Sequence, residues 1–227
     1  MSVFDPTFDD LGTTISIFPL TGVLLLPRGC LPLNIFEPRY LNMASDALKT
    51  DRMIGMIQPT DGADTAENPK IYSTGCAGRI VSFEEHDDGR YLIMLKGAAR
   101  FDIVEELETE RGYRRVVPNW EPYAPDLEEP SGAIPDRGKF LSSLRQYFDI
   151  NSMDANWDAI EGAPCERLVN SIAMICPFEP SEKQALLEAP TLENRIEILA
   201  ALINMAIMSN NGASNDKQLF LKCRLVH

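Results

Sequence analysis

The chain has 227 residues, of which 44% are hydrophobic and 24% charged, and its formal net charge at pH 7 is −13. This composition is typical of a globular protein large enough to bury a core without disulfides or metal. The negative charge repels a nucleic-acid backbone at long range, so we expect no nucleic-acid partner. No signal peptide opens the sequence and no apolar run approaches the ~18 residues of a membrane span, so we expect no membrane partner.

The cysteine and histidine pattern argues against disulfides and against a metal site. Five cysteines are scattered along the chain and never form C-x-x-C. In a chain without an export signal they are expected to be free thiols in a reducing cytoplasm. The only histidines are His86 and His227, and neither has neighbours at metal-ligand spacing. We therefore expect no metal and no cofactor.

The first 60 residues combine short strands with one helix. Apolar segments at 14–20, 23–26 and 31–36 are punctuated by glycine and proline, which predicts short, bent strands. Residues 38–49 begin with proline and place apolar residues three and four apart, which predicts an amphipathic helix. Residues 53–58 return to a strand pattern, and a loop is predicted at 59–64.

The clearest paired strands follow. The runs 76–86 and 90–100 flank Asp87-Asp88-Gly89, and Asp-Gly between two β-rich runs is a strong hairpin signal. Gly97 is expected to mark a bulge. The runs 101–107 and 113–120 predict a further strand pair.

The second half of the sequence has a helical pattern. Residues 124–135 are rich in proline, glycine and acids, which indicates a linker. Beyond it, apolar stripes predict helices around 141–148 and 168–175, a short helix opened by a capping box at 181–184, and a longer one capped by Thr191. Asn210-Asn211-Gly212 predicts the end of this last helix. We thus expect a β-rich domain at 1–123, a linker at 124–135 and a helical domain at 136–227.

No pattern indicates catalysis. The sequence contains neither a Walker phosphate-binding loop nor a G-x-S-x-G nucleophile elbow. The glycines of Gly75-Cys-Ala-Gly78 begin a strand and are interpreted as packing positions or a bulge. The acidic run 84–88 has two interpretations, a cation site or the solvated tip of a hairpin, and the second is favoured because calcium loops have a different spacing.

Two arginines and three aromatic residues leave alternatives open. Arg39 and Arg100 lie beside apolar residues, where an arginine usually has a structural carboxylate partner. The alternative is that one of them grips a ligand carboxylate. Tyr113, Trp120 and Tyr123 could stack on bases, but they are equally expected in a β core.

Three ordered blocks of this sequence resemble the amino-terminal, substrate-binding domain of the Lon protease family. They are IFPLTGVLLLPRGCLPLNIFEPRYLNMASDAL, GCAGRIVSFEEHDDGRYLIMLKGAARFDIVEE and EKQALLEAPTLENRIEILAALI. The resemblance implies an α+β fold, in which a PUA-like β pseudo-barrel with one inserted helix is followed by a helical bundle. It also implies that the following positions carry the family's structural motif: Pro19, Leu20, Pro27, Gly29, Pro32, Glu37, Pro38, Arg39, Gly89, Arg90, Gly97, Arg100 and Phe101.

The resemblance further implies that the protein captures unfolded or tagged proteins. The sequence ends where the ATPase motor of the protease would begin, and in this it is similar to stand-alone bacterial relatives. We therefore predict a non-catalytic module that binds an unfolded or specific client protein, on the β domain or in a cleft beside the helical part. The candidate contact residues are Phe36, Tyr40, Met43, Met53 and Met56. For each the alternative is core packing, which helix amphipathicity favours for Phe36 and Tyr40.

Three rival functions stay open. An adaptor would dock on a separate protease or chaperone. A small-ligand or RNA binder would use the PUA-like fold, against which the pI near 4.6 argues. An unrecognised hydrolase would need a cleft with paired serine and lysine or clustered carboxylates. The sequence leaves the oligomeric state open.

Overall fold

The computed structural model describes residues 6–61, 68–128 and 132–223. The chain divides into two compact units, one comprising Met1–Ser131 and Asn170–Glu188 and the other Gly132–Val169 and Ala189–His227. The strands are β1 (Ile15–Pro19), β2 (Cys30–Ile35), β3 (Met53–Ile57), β4 (Thr74–Glu85), β5 (Tyr91–Glu110) and β6 (Tyr113–Asn119). The helices are α1 (Pro38–Lys49), α2 (Arg137–Ile150), α3 (Trp157–Gly162), α4 (Cys165–Ile175), α5 (Pro180–Glu188) and α6 (Leu192–Cys223).

The first unit is built on a six-stranded sheet in the order β2-β5-β4-β3-β1-β6, in which β6 also pairs with β5. β1 and β3 are parallel, which the long connection through β2 and α1 permits, and the other pairings are antiparallel. The core between the strands includes Ile17, Ala77 and Phe101, all essentially inaccessible to solvent. The predicted α+β fold with one inserted helix is confirmed.

Helix α1 has the bounds that the sequence predicts. Pro38 occupies its first turn, where the missing N–H costs nothing. The residues at three- and four-residue spacing form its buried face, which consists of Tyr40, Met43, Ala44 and Ala47. This face packs on the sheet, and its burial supplies most of the stability of so short a helix.

Two strand predictions are wrong in detail. The segment 23–26 is not a strand, although Leu24, Leu25 and Leu26 are buried. It leads to Arg28, whose N–H donates a hydrogen bond to the Gly97 carbonyl at 2.8 Å. The two predicted strands 90–100 and 101–107 belong to the single strand β5, because no glycine or proline interrupts the extended backbone where one run meets the other.

The bulge predicted at Gly97 is confirmed. Gly78 lies opposite Gly97 whereas Ala77 lies opposite Ala99, so the pairing of β4 with β5 shifts at this point. A bulge of this kind increases the local twist of the strand. The twist helps β5 to change its pairing partner from β4 to β6 along its length. Downstream, Asp102 lies opposite Asn119 of β6.

The predicted linker is partly integrated into the first unit. Residues Glu121–Leu127 form a 3₁₀ helix, and Asp126 is buried. Residues 129–131 lie outside the described residues, as do residues 62–67, on which part of the predicted loop falls. The helical segment Asn170–Glu188 groups with the β-rich residues, whereas the sequence places it in the helical domain.

A buried polar network explains why α5 belongs with the sheet. The Gln184 amide donates to the Thr74 carbonyl at 3.1 Å, and the Gln58 amide donates to the Gln184 side-chain oxygen at 3.2 Å. The Lys183 ammonium donates to the Gly22 carbonyl at 2.8 Å. Burial lowers the pKa of Lys183, because the charged amine loses hydration. The E-K-Q run of the sequence thus includes two hydrogen-bonding positions that hold α5 in place.

The helix α5 begins one residue before the predicted capping box. Pro180 opens the helix, and the Glu182 carboxylate accepts a hydrogen bond from the Glu179 N–H at 2.9 Å. Glutamate in this position reaches back to an N–H that has no partner inside the helix. The cap residue is therefore Glu179, two positions before Ser181, where the sequence places it.

The second unit is helical. Asp136 caps α2 by accepting a hydrogen bond from the Lys139 N–H at 3.1 Å, and Thr191 caps α6 by accepting one from the Asn194 N–H at 3.2 Å, the latter as predicted. The predicted stop at Asn210-Asn211-Gly212 is wrong: α6 extends to Cys223, since these residues lower helix propensity without removing a backbone donor as proline would. In the described residues no helix has the length and apolarity that crossing a bilayer requires.

Candidate protein-binding surface

Phe36 is the only one of the five candidate contact residues that is exposed. Its exposed fraction is 64%, whereas Tyr40, Met43, Met53 and Met56 are all buried, at 6% or less. Of these five residues, only Phe36 is therefore placed to touch a bound peptide directly. The expectation that Phe36 packs in the core is wrong, because it lies between the last residue of β2 and the N-cap of α1, where no described element covers it.

Three further exposed apolar residues lie at the same end of the sheet as Phe36. Val81, Phe83 and Leu92 are 42%, 41% and 39% exposed. β5 pairs with β2 on one side and with β4 on the other. The strand ends near these residues are therefore adjacent. We call the set Phe36, Val81, Phe83 and Leu92 the apolar tip. Of these four residues, the sequence analysis identified only Phe36. The alternation of apolar and polar residues in a strand does not show which apolar residues are solvent-exposed near the strand end.

The apolar tip presents apolar side chains on both faces of the β4–β5 pair. Phe83 lies opposite the buried Ile93, whereas Leu92, the preceding residue of β5, points to the other face. The Phe83 ring packs edge-to-face against Tyr91, with centroids 5.0 Å apart. This contact fixes the orientation of Phe83 while leaving much of its ring in solvent.

A rim of carboxylates borders the apolar tip. Residues 84–88 form the end of the β4–β5 hairpin, and Glu84, Glu85, Asp87 and Asp88 are all exposed. Gly89 has a φ of 82°, which the predicted turn requires. Hydrogen bonds from the Arg90 backbone and side chain lower the pKa of Asp88. Among the residues that the structure describes, no group of histidine, cysteine and carboxylate side chains could hold a metal ion. The exposure of all five residues 84–88 agrees with the interpretation of the acidic run as the solvated end of a hairpin.

Both arginines considered as ligand-binding groups have protein partners. The Arg39 guanidinium lies 3.0 Å from the Glu37 carboxylate. Arg100 is buried and binds both oxygens of the Asp126 carboxylate at 2.8 Å. Burial works against the charge of Arg100, but the hydrogen bonds and charge of Asp126 raise its pKa above the usual value. Both residues have the structural ion pairs that the sequence predicts.

The glycines at the start of β4 serve packing. A Cβ atom on Gly75 would lie 2.7 Å from the Met56 carbonyl oxygen, and one on Gly78 would lie 2.7 Å from a methyl carbon of Leu25. Real Cβ atoms do not approach other atoms so closely. At Gly75 the obstacle is backbone, so this position needs the absence of a side chain, whereas at Gly78 the Leu25 methyl group would have to shift. This agrees with the interpretation of these glycines as packing positions.

The three aromatic residues considered for base stacking have partners within the fold. Tyr113 and Trp120 are buried, and the Trp120 indole donates to the Gly12 carbonyl at 2.9 Å. The Arg100 guanidinium lies 4.6 Å from the centre of the half-buried Tyr123 ring. The rings of Tyr113 and Trp120 are therefore part of the core and do not form a platform for bases.

A polar cleft of about 370 Å³ lies in the first unit, and Asp46 is one of the residues that line it. Asp46 accepts hydrogen bonds from Arg111, Tyr113 and Lys49. Burial opposes the charged form of Asp46, but these bonds outweigh it and lower the pKa of the carboxyl. The network ties α1 to the turn between β5 and β6.

We expect Asp46→Asn to lower the free energy of unfolding at pH 7 by less than about 1 kcal/mol, since the carboxylate is partly solvated. The pKa is lowered in the folded state, so the charge stabilises the fold above the ordinary value of 3.8, and this stabilisation is lost as the pH falls through the folded-state pKa. Urea unfolding of both proteins across this range checks the expectation. If the difference in free energy of unfolding between the two proteins stays constant as the pH falls, the charge of Asp46 does not cause that difference.

The sequence has relatives among the Lon proteases. Lon protease 2 of Myxococcus xanthus is 26% identical over 216 residues, which cover 86% of this chain and 24% of that protein. The Lon protease of Methylocella silvestris is 25% identical over 209 residues, covering 88% of this chain and 25% of that protein. The chain spans about a quarter of the length of these curated relatives.

Solved structures share the fold. The Lon N-terminal domain protein from Xanthomonas campestris superimposes with a TM-score of 0.58 at 23% identity, covering 83% of this chain and 98% of that one. The N-terminal domain of the Mycobacterium avium complex Lon protease gives a TM-score of 0.59 at 13% identity, covering 84% of this chain and 98% of that one. Residues 14–205 match the family described as the ATP-dependent protease La (LON) substrate-binding domain. Because that match covers most of its length, the chain belongs to the LON substrate-binding domain family.

Proposed function

We propose that this protein binds client proteins without catalysing a reaction, and that apolar client segments contact the apolar tip. The observation that carries the proposal is the 64% exposure of Phe36 at the end of the sheet where three other apolar residues are also exposed. Large apolar side chains that stay in solvent cost free energy, which burial under a partner recovers. The family membership supports the same function, because the matched domain is the one named for substrate binding.

The charge of the rim specifies the client further. Four carboxylates lie within residues 84–88, and the whole chain carries −13. An apolar segment flanked by lysine or arginine would satisfy both the apolar tip and its rim, whereas an acidic segment would be repelled. The preferred client is therefore apolar and basic in an unfolded or extended state, which makes both kinds of side chain accessible.

The test is equilibrium binding of a labelled, permanently unfolded polypeptide, with the folded form of the same polypeptide as a control and without nucleotide. We expect saturable binding of the unfolded form only. Phe36→Asp and Phe83→Asp should each weaken binding about tenfold or more, since each places a charge in the apolar contact.

Val104→Asp is the matched control. Val104 is 66% exposed and lies in β5 outside the apolar tip, so its replacement adds the same charge at an equally exposed apolar position. Binding should be unchanged. Equal losses for Val104→Asp and Phe36→Asp would reject the apolar tip as the contact surface, and absence of binding by the folded wild-type protein would reject client binding altogether.

A further inference from the structure

β2 is an edge strand of the sheet. Among the residues that the structure describes, it pairs with β5 alone, over Cys30 to Ile35. Its alternate residues Cys30, Pro32 and Asn34 are exposed, whereas Leu33 and Ile35 are buried. An edge strand with an uncovered side presents backbone donors and acceptors to which another strand can bind.

The register shows which backbone groups face outward. The Gly97 N–H donates to the Gly29 carbonyl at 2.8 Å, so the residues at 29 and 97 are hydrogen-bonded to each other. Bonded and non-bonded pairs alternate along an antiparallel ladder. The bonded residues of β2 are therefore Leu31, Leu33 and Ile35, and the backbone groups of its other residues point away from β5.

Pro32 agrees with this assignment. Proline has no N–H and is tolerated where the ladder needs none, at the outward-facing positions of an edge strand. The free edge of β2 thus offers the N–H groups of Cys30 and Asn34 and the carbonyl groups of Cys30, Pro32 and Asn34. Pro32 interrupts the row of donors, which weakens pairing between edges without abolishing it.

We propose that an extended client segment binds as an additional antiparallel or parallel strand along the free edge of β2, next to Phe36. This inference rests on the proposed function and names its binding mode. Main-chain hydrogen bonds supply affinity that is independent of sequence, as in other cases of strand addition. Phe36 directly follows the edge strand, so a segment on β2 that extends past Ile35 reaches the apolar tip.

Charge selects the occupant. A second copy of this chain carries the same net charge of −13, and this like charge disfavours pairing of two β2 strands. A basic segment of high β propensity meets no such repulsion. A ten-residue peptide of alternating valine and lysine, about the length of a long strand, is therefore a suitable probe.

Amide hydrogen exchange of the full chain, measured by NMR with and without this peptide, tests the proposal. We expect exchange at Cys30 and Asn34 to be fast in the free protein and at least about tenfold slower with saturating peptide, while Leu31 and Leu33 are protected throughout. Pro32→Val adds an outward donor and should tighten peptide binding about threefold to tenfold; Asn34→Pro removes one and should weaken it by a similar factor.

The outcomes separate the binding mode from the function. If the unfolded polypeptide binds but the peptide does not, or the peptide binds without protecting Cys30 and Asn34, strand addition is wrong and client binding stands. If neither binds, the proposed function fails with it. Protection that grows with protein concentration without peptide, together with a dimer in sedimentation, would assign the edge to a second copy and overturn the proposal.

Discussion

Asp126→Ala should lower the free energy of unfolding by about 3–5 kcal/mol, because it leaves the buried Arg100 guanidinium without its counter-charge. Asp126 accepts hydrogen bonds from the Arg100 side chain at two oxygens, both at 2.8 Å, and from the Arg100 backbone N–H at 3.0 Å. Arg100 also donates to the Leu187 carbonyl at 3.1 Å. The pair therefore joins β5, the 3₁₀ helix and α5. Urea unfolding at pH 7 measures the loss.

Two comparisons make that prediction specific. Glu110→Ala removes a carboxylate whose ion pair with Arg115 is largely in solvent, and it should cost less than about 1 kcal/mol. The double variant Arg100→Met with Asp126→Leu removes both charges and should be more stable than Asp126→Ala, since no unpaired buried charge remains. If the double variant is less stable than the single one, the unpaired charge is not the main source of the loss.

Gly97→Ala should destabilise the first unit by about 3 kcal/mol or more, because the added methyl group cannot be accommodated without moving backbone. A Cβ atom at this position would lie 2.0 Å from the Leu26 carbonyl oxygen and 2.8 Å from the Leu26 carbonyl carbon. Neither atom belongs to a side chain that can rotate away. The segment containing Leu26 would have to separate from β5, which would expose the buried Leu24–Leu26 run.

Gly138→Ala is the control for Gly97→Ala. Gly138 lies in the first turn of α2, and the nearest atom to its added Cβ would be 3.8 Å away, an ordinary contact. This change should leave the free energy of unfolding unaffected or raise it by up to about 1 kcal/mol, since alanine favours the helix more than glycine does. Equal stability of Gly97→Ala and wild type, by urea unfolding, would show that the Leu26 segment moves at little cost.

Much of the fold can be predicted from local patterns. The sequence predicts the first and last residues of α1 correctly. Its signals are local, because proline favours the first turn and the apolar residues recur every three or four positions. The β4–β5 hairpin follows because Asp88-Gly89 has a conformational preference that few other pairs share. The three blocks that resemble Lon proteases indicate the family, which the match over residues 14–205 confirms.

The candidate site can be predicted only in part. The sequence marks Phe36 as a contact candidate from its place beside the helix, yet amphipathicity favours its burial. Met53 and Met56 are candidates for their adaptable side chains, and the structure buries both within the sheet. Exposure depends on what covers a residue, and that is decided by elements distant in sequence. The exposure of Phe83 and Leu92 cannot be read from alternation, which is the same in covered and uncovered strands.

Short-range conformational preferences determine α1, the β4–β5 hairpin, the cap at Thr191 and the bulge at Gly97. These features can therefore be predicted from the sequence alone. Three others emerge only when the chain is folded. Asp126 of the predicted linker is buried and neutralises Arg100, and α5 packs with the sheet through Gln184. Within the part of the chain that the structure describes, β2 keeps one free edge. The first two depend on partners brought together from distant parts of the chain. Buried charges and amides need such partners, and a strand edge stays free only where none arrives.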